Sequence, residues 1–259
     1  MILRREDITE ERIAAWIAEG KKHGYTGYLS REQREASRRR FLSRLPRGES
    51  MWVFGYGSLM WAPAFDYAER LPAVLQGWHR SFCFWTAMGR GTPALPGLML
   101  ALERGGQCHG VAYRIAPSRV QSETEIVWRR EMISGVYRAQ WVTLRTARGP
   151  RRAVTFVINR GHRLYTGRIS RHKVAHHIAF AEGRNGTCRD YLANTMDHLQ
   201  QLGIVDREMK ELSRLVRHTR ADAPPPEIRP GLNGPPGPVH PSPDQVVLAA
   251  SQNSSRDVV

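Results

Sequence analysis

Residues 51–61 read MWVFGYGSLMW, an apolar run that ends in a turn containing two glycines. The residues at 52–54 are aromatic or β-branched, which is typical of a buried strand. Gly55 and Gly57 allow a tight turn or a close approach of the backbone to a ligand. Amides in such a turn can hold a carboxylate or a developing oxyanion without a charged side chain. An ordinary strand end explains the same spacing, so both interpretations stay open at this point.

Two sharper interpretations of this turn fail. A dinucleotide-binding fingerprint needs a third glycine where this chain has Met60. A nucleophile elbow needs glycines two residues on either side of Ser58, and those positions hold Tyr56 and Met60. The sequence therefore predicts neither a nucleotide site nor a covalent role for Ser58.

Length and charge limit the class of protein. A chain of 259 residues can form one substantial domain with extensions or two small domains, and we expect the first. The net charge of +15 attracts anions, which include nucleic acid, an acidic membrane surface and a small anionic substrate. The arginines are spread along the chain, which favours a solvated surface over a nucleic-acid site.

The cysteines and the first residues indicate the compartment. Three widely separated cysteines without a C-x-x-C pair fit a reducing environment, and we expect a cytoplasmic protein. The chain begins with a charged segment, and no window approaches the roughly 18 apolar residues of a membrane span. Neither secretion nor membrane insertion is expected.

Both ends differ from the middle of the chain. Residues 1–48 are expected to form a helical, basic extension in which an arginine-rich segment follows one apolar helix face. A packed helix followed by a solvated basic linker is the simplest account of this extension. Nine of the sixteen prolines fall within 224–243, so 222–259 is expected to be a disordered tail. Residues 49–221 are then expected to form the main folded domain.

The middle of the chain mixes strands with helices. Strands are predicted at 51–56, 73–84, 97–103, 108–115, 136–146 and 153–160, and helices at 117–132, 170–182, 187–202 and 206–218. So many strands before the first long run of helix predict an α+β fold. We expect a mostly antiparallel, barrel-like sheet with surrounding helices.

One carboxylate stands out on the first predicted helix of this domain. Val120, Thr124, Val127 and Glu131 follow one another at steps of three and four residues, so Glu131 extends a largely apolar face. A carboxylate in that position loses hydration, which raises its pKa and suits it to accept a proton. A glutamate paired with one of the many arginines is the alternative.

The histidines carry less information. His172, His176 and His177 lie on one helix without a further ligand type nearby, so we expect surface histidines and no metal site.

Several segments together resemble the ChaC-like γ-glutamylcyclotransferases. The matching stretches are WVFGYGSLMW at 52–61, RSFCFW at 80–85, GTPALPGLMLAL at 91–102, CHGVAYRI at 108–115, WRREM at 128–132 and GRNGTCRDYLANT at 183–195. The resemblance covers about 50–215. The N-terminal extension and the proline-rich tail lie outside this resemblance.

The resemblance implies a lyase that cleaves glutathione to 5-oxoproline and Cys-Gly without a cofactor. It assigns the catalytic glutamate to Glu131. It also implies a substrate-binding loop, a late tyrosine near the substrate and no clear role for Tyr137. The implied substrate-binding residues are Val53, Phe54, Gly55, Tyr56, Gly57, Ser58, Leu59 and Tyr191.

The chemistry of this cleavage needs the groups that the turn and the carboxylate can supply. The α-amino group of the substrate attacks its own γ-carbonyl, so positioning supplies much of the rate. A general acid/base and amide donors are what the enzyme must add. Two alternatives stay open: a cyclotransferase for other γ-glutamyl amino acids or amines, and a basic regulator that binds nucleic acid or a membrane protein. The oligomeric state is left open.

Overall fold

A closed five-stranded barrel with helices packed around it forms the body of the protein. This computed structural model describes residues 4–22 and 27–220, so the predicted tail at 222–259 lies outside the described residues. The strands of the barrel are β1 (Met51–Gly55), β2 (Glu69–Thr86), β3 (Gly97–Ile115), β4 (Tyr137–Thr146) and β5 (Gly149–Ile158). The helices are α1 (Glu10–Lys22), α2 (Arg31–Leu42), α3 (Val120–Glu131), α4 (Arg171–Phe180), α5 (Cys188–Gln201) and α6 (Arg207–His218).

The barrel has the strand order β1-β3-β2-β4-β5 and closes between β5 and β1. Neighbours pair antiparallel along most of this order, and β5 pairs parallel with β1 and at one position with β3. The prediction of a mostly antiparallel, barrel-like sheet in an α+β fold is confirmed. A closed barrel has no exposed edge strand that could pair with another chain.

The strand β1 lies in the middle of the core. All five of its residues are buried, and it pairs with β3 on one side and β5 on the other. A strand buried on both faces must be continuously apolar, which is why this segment lacks the alternation of a half-exposed strand. Its carboxyl end therefore places the glycine turn at one end of the barrel.

Two predicted strands are in fact one. The sequence predicted a break between 103 and 108, but β3 continues through Gly105 and Gly106, both at positive φ. The partner strand β2 pairs with β3 on both sides of these glycines, and the register shift there takes up the extra residue as a bulge. Pairing with an eighteen-residue partner outweighs the local preference of glycine for a turn.

The four predicted helices of the domain are confirmed within a few residues. A short 3₁₀ turn at Pro117–Arg119 precedes α3, and the β6 (Glu182–Gly183) and β7 (Gly186–Thr187) hairpin separates α4 from α5. Side-chain oxygens of Ser170, Thr187 and Asp206 accept the amide three residues on and so begin α4, α5 and α6. No helix in the described ranges is long and apolar enough to cross a membrane.

The N-terminal segment packs onto the barrel domain through α3. The arginine-rich stretch forms α2, and its Arg34 and Arg38 are buried. Arg38 donates to Thr124 Oγ1 on α3 at 3.0 Å, and Trp128 Nε1 on α3 donates to Ser37 Oγ at 3.3 Å. The account of this stretch as a solvated linker was wrong, because α3 supplies acceptors and an aromatic surface that the sequence alone did not reveal.

Candidate active site

A cavity of about 560 Å³ lies where the turn after β1, the end of α3 and the start of α5 meet. The residues that line it come from distant parts of the chain. They are Ser58, Trp61, Ala62, Phe84, Thr86, Gly89, Arg90, Met99, Arg130, Glu131, Ile133, Ser134, Val136, Tyr137, Asn185, Gly186, Asp190, Tyr191, Ala193 and Asn194. This volume lies in the range of small-molecule sites.

The turn after β1 depends on both of its glycines. A Cβ on Gly55 would lie 2.9 Å from the Cβ of Leu59, and a Cβ on Gly57 would lie 3.1 Å from the hydroxyl of Tyr191. The chain then forms a 3₁₀ turn over Ser58–Met60. The close approaches, rather than a positive φ, explain why glycine occupies these two positions.

The predicted loop residues divide into two groups. Val53 and Phe54 are strand residues with no exposed surface, and Leu59 is buried in the same core. Tyr56 is also buried, and its hydroxyl donates to the carbonyl of Phe156 across the barrel at 2.7 Å. Ser58 is the residue of the predicted loop whose surface lines the cavity, with Gly57 directly behind it at Tyr191.

Glu131 is the last residue of α3, and its side chain lines the cavity. The helix buries Val120, Thr124 and Val127 along the predicted face, and the Glu131 side chain is 13% exposed. Burial raises the pKa of this carboxyl above its usual range, while the neighbouring guanidinium of Arg130 lowers it. Burial prevails, and the raised pKa brings this carboxyl closer to the range in which a side chain can both accept and donate a proton.

Arg130 connects the glutamate with the turn. Its Nε lies 3.0 Å from Glu131 Oε1, its Nη2 donates to Ser58 Oγ at 2.8 Å, and its Nη1 donates to the carbonyl of Ala62. The Arg130 side chain is 6% exposed. One buried cation thus holds the end of α3 against the turn after β1, a role that the sequence analysis missed.

Three tyrosines surround the same carboxylate. Burial raises the pKa of Tyr56, Tyr137 and Tyr191, and the negative charge of Glu131 raises each further. Tyr137 lines the cavity, and its hydroxyl donates to the carbonyl of Leu100 at 2.7 Å. These phenols are therefore neutral, and those of Tyr56 and Tyr137 donate to backbone carbonyls. The structure places Tyr137 at the site, which sequence spacing left in doubt.

Tyr191 is fixed by cationic and aromatic neighbours. The guanidinium of Arg90 lies 5.1 Å from the centre of its ring, and Phe82 meets the ring edge to face at 5.8 Å. Arg90 Nη1 in turn donates to the carbonyl of Thr187 at the start of α5. Arg90 directly precedes the GTPALPG segment, and no periodicity marked it as a cavity residue.

The histidines of α4 differ from the prediction. His172 is exposed, but His176 and His177 are buried, so the expectation of surface histidines was wrong for those two. The ring of His177 packs edge-on against Trp85 and its Nδ1 lies 2.8 Å from the carbonyl oxygen of Pro96, while burial lowers its pKa to about 4. This histidine belongs to the core because α4 packs against β3.

The remaining reactive groups do not join the site. Cys83, Cys108 and Cys188 are free and buried, and burial raises the pKa of each thiol. Among residues 4–22 and 27–220, no group of three potential metal-binding side chains comes together.

The fold and the cavity define a class: a small barrel enzyme in which an arginine links a largely buried carboxylate to a glycine turn. The family model described as ChaC-like protein matches residues 51–219, and the chain belongs to this family.

Individual relatives support the same assignment. The glutathione-specific gamma-glutamylcyclotransferase of Escherichia coli K12 is 39% identical over 205 residues, which cover 78% of this chain and 89% of the relative. Gamma-glutamylcyclotransferase 2-3 of Arabidopsis thaliana is 32% identical, over 67% of this chain and 92% of the relative. A crystal structure of a yeast gamma-glutamyl cyclotransferase specific to glutathione has the same fold, with a TM-score of 0.62 and 23% identity over 66% of this chain and 97% of that one.

Proposed function

We propose that this chain cleaves glutathione to 5-oxoproline and Cys-Gly. The observation that carries the proposal is the arrangement around Arg130, which joins the buried carboxylate Glu131 to Ser58 in the turn after β1. Family membership and the activities for which the E. coli and Arabidopsis relatives are named support the γ-glutamyl substrate class.

The chemistry needs one proton carrier and a folded substrate. Glu131 takes a proton from the substrate's α-ammonium, and the freed amine attacks the γ-carbonyl to close a five-membered ring. The new C–N bond forms as the old amide C–N bond breaks, and Glu131 returns its proton to the leaving amine. Glu131 then takes a second proton from the ring nitrogen and passes it to the same amine, so the lactam is neutral and Cys-Gly leaves with an ammonium group. Neither water nor a cofactor takes part in this balance.

The turn supplies the binding groups. Amides of Met60, Trp61 and Ala62 donate to the carbonyls of Gly57 and Ser58 inside the turn. We assign the amides of Gly57 to Leu59 to the α-carboxylate or the developing oxyanion of the substrate. The core residues Val53, Phe54 and Tyr56 then support the turn from behind, and Tyr191 packs against Gly57 from the cavity side.

Residues 49–221 are the proposed catalytic domain, since the family match falls within them. We also propose a cytoplasmic location, because three buried free thiols suit a reducing compartment.

The direct test is release of 5-oxoproline from glutathione by the purified full chain, with Glu131→Gln as the matched inactive variant. Parallel assays with γ-glutamyl amino acids and γ-glutamylamines separate glutathione from the other substrates of the superfamily. Equal turnover of a γ-glutamyl amino acid and glutathione would remove the glutathione assignment. Equal turnover by wild type and Glu131→Gln would remove the assignment of the base.

One observation favours a second function. A larger cavity of about 980 Å³ between α2 and the barrel is lined by five exposed arginines: Arg40, Arg44, Arg104, Arg138 and Arg160. Such a groove attracts a polyanion, and its binding should weaken steeply with salt. Salt-dependent RNA binding that is lost in Arg40→Ala/Arg44→Ala and kept in Glu131→Gln would establish this function. Salt-independent binding, or none, would exclude it.

A further inference from the structure

A second, smaller cavity adjoins the catalytic cavity, and we call it the annex. It has a volume of about 200 Å³. Its walls include Trp16, Tyr28, Ala87, Met88, Leu164 and Arg184, none of which lines the catalytic cavity. The two cavities share the lining residues Phe84, Thr86, Gly89, Ser134 and Asn185, so they meet along one seam.

The walls of the annex are mostly aromatic and apolar, with Thr86, Ser134, Arg184 and Asn185 as the polar members, and part of them comes from the N-terminal segment. The hydroxyl of Tyr28 donates to the Sδ of Met88 at 3.4 Å. A Cβ on Gly20 would lie 1.9 Å from that hydroxyl and 2.9 Å from that sulfur, so α1 packs directly on this wall. Arg184 lies over the ring of Trp16 at 5.4 Å. The annex is therefore a built feature in which residues outside the family match complete a pocket of the catalytic domain.

The position of the annex suits the part of the substrate that leaves, rather than its γ-glutamyl end. The groups assigned to the γ-glutamyl end are Glu131, Arg130 and Ser58, and none of them borders the annex. The shared seam instead runs through Phe84, Gly89 and Ser134 and their neighbours, and it includes none of the groups assigned to the γ-glutamyl end. Because the two cavities share these residues, the annex is open to the leaving part of a substrate that is held by its γ-glutamyl end at the turn.

We propose that the annex receives the side chain of the residue next to the γ-glutamyl group, with space for an apolar substituent on its sulfur. The inference rests on the proposed function. A thiol needs little of a volume of about 200 Å³, given the roughly 30 Å³ that one water molecule takes in the liquid. The substrate class that fills the annex is glutathione thioethers with an alkyl or benzyl group. The cyclisation is unchanged, and the C–S bond of the thioether stays intact.

The experiment compares kcat/KM for glutathione and S-benzylglutathione, both measured as 5-oxoproline release. We expect S-benzylglutathione to be at least as good a substrate, because burying one methylene in an apolar pocket changes kcat/KM by about tenfold or more. A value below about a tenth of that for glutathione would overturn the inference.

The measurement with glutathione distinguishes a failure of the annex proposal from a failure of the proposed function. Turnover of glutathione with poor turnover of the thioether leaves the proposed function intact and removes the role of the annex. If neither compound is turned over, the proposed function fails. Calorimetric titration with both compounds then tests whether the annex binds the substituent on the sulfur. Tighter binding of S-benzylglutathione than of glutathione then supports the annex, and equal or weaker binding removes it.

Two variants test whether the annex is responsible for the activity with S-benzylglutathione. Ala87→Phe fills the annex, and Trp16→Ala opens its wall, while neither residue lines the catalytic cavity. Each should lower kcat/KM for S-benzylglutathione by about tenfold and change that for glutathione by less than about threefold. Trp16→Phe should restore most of the loss. Tyr67→Ala, which truncates an exposed aromatic residue outside both cavities, is the matched control.

Equal losses for both substrates in the annex variants would indicate a structural effect and contradict the proposal. Should Ala87→Phe fail to fold, Trp16→Ala and Trp16→Phe test the role of the annex by themselves. The quantity compared is kcat/KM for S-benzylglutathione divided by kcat/KM for glutathione.

Discussion

Arg130 and Glu131 are consecutive residues that form a buried ion pair, with Nε and Oε1 3.0 Å apart. The pair has two opposing effects at one carboxylate. Burial favours the protonated form of Glu131, and the cation favours the ionised form. The same cation donates to Ser58 and Ala62, so it also fixes the turn relative to the carboxylate. In the proposed mechanism, proton transfer and substrate placement are therefore linked through one side chain.

Glu131→Gln should retain the fold and reduce 5-oxoproline release by roughly two to four orders of magnitude, the usual scale for the loss of a general acid/base. Glutamine keeps the size of the side chain and removes its ability to carry a proton. Circular dichroism and thermal unfolding check the fold, and a coupled assay measures the rate. Glu125→Gln, on the outer part of the same helix, is the control. Near-normal release by Glu131→Gln would disprove the catalytic assignment.

The activity should fall on the acid side as Glu131 becomes protonated. Because burial raises the pKa of this carboxyl, the loss should begin at a higher pH than for an ordinary glutamate. Arg130→Gln removes the cation that lowers this pKa and should move the acid limb of kcat to higher pH. Arg129→Gln is the control, since Arg129 pairs with Glu10 and Glu125. An unchanged acid limb in Arg130→Gln would show that another group controls it.

Gly57→Val should lower kcat/KM by about tenfold or more, because small displacements of binding groups have large effects on rate. The new Cβ would lie 3.1 Å from the Tyr191 hydroxyl, and the branch adds further crowding. Gly161→Val serves as the control, since a Cβ there would meet its nearest neighbour, Asn159 Oδ1, at an ordinary 3.6 Å. Unchanged steady-state parameters in Gly57→Val would refute the binding role of the turn.

Arg5→Gln should destabilise the protein through α3. Arg5 makes two hydrogen bonds to Glu123, at 2.5 and 3.1 Å, and the Glu123 side chain is completely buried. Removing the cation leaves a buried carboxylate with fewer partners, and we expect a loss of about 1–3 kcal/mol in the free energy of unfolding at pH 7. Denaturant unfolding measures it, with Arg4→Gln, a mostly exposed neighbour, as the control. A loss no greater than that of the control would show that Arg5 contributes nothing to stability.

The same pair predicts a pH dependence of stability. Burial raises the pKa of Glu123, but hydrogen bonds from Arg5, the Asp66 amide and Ser122 prevail and lower it. A lowered pKa in the folded state stabilises the protein above the ordinary pKa of 4.5, and this stabilisation is lost as pH falls through the lowered value. Arg5→Gln should therefore lose less stability than wild type between pH 7 and acid. A parallel loss in both proteins would contradict this linkage.

Much of the fold could be predicted from the sequence because its patterns are local. The apolar run of β1 predicted a buried strand, and the helical spacing to Glu131 placed this carboxylate at the end of an apolar stripe. The break predicted between 103 and 108 was wrong because strand pairing is a long-range interaction. The burial of His177 was missed for the same reason, since α4 packs on a strand far away in the sequence.

The sequence by itself determined the turn at 55–59, the carboxylate at 131 and the family motifs that contain them. Only the tertiary structure decided that Arg130 joins the two, that Tyr137 and Arg90 reach the same cavity and that Trp16 closes an annex beside it. The physical reason is that residue type and spacing set local conformation, whereas burial, ion pairing and cavity walls arise from segments that meet only when the barrel closes.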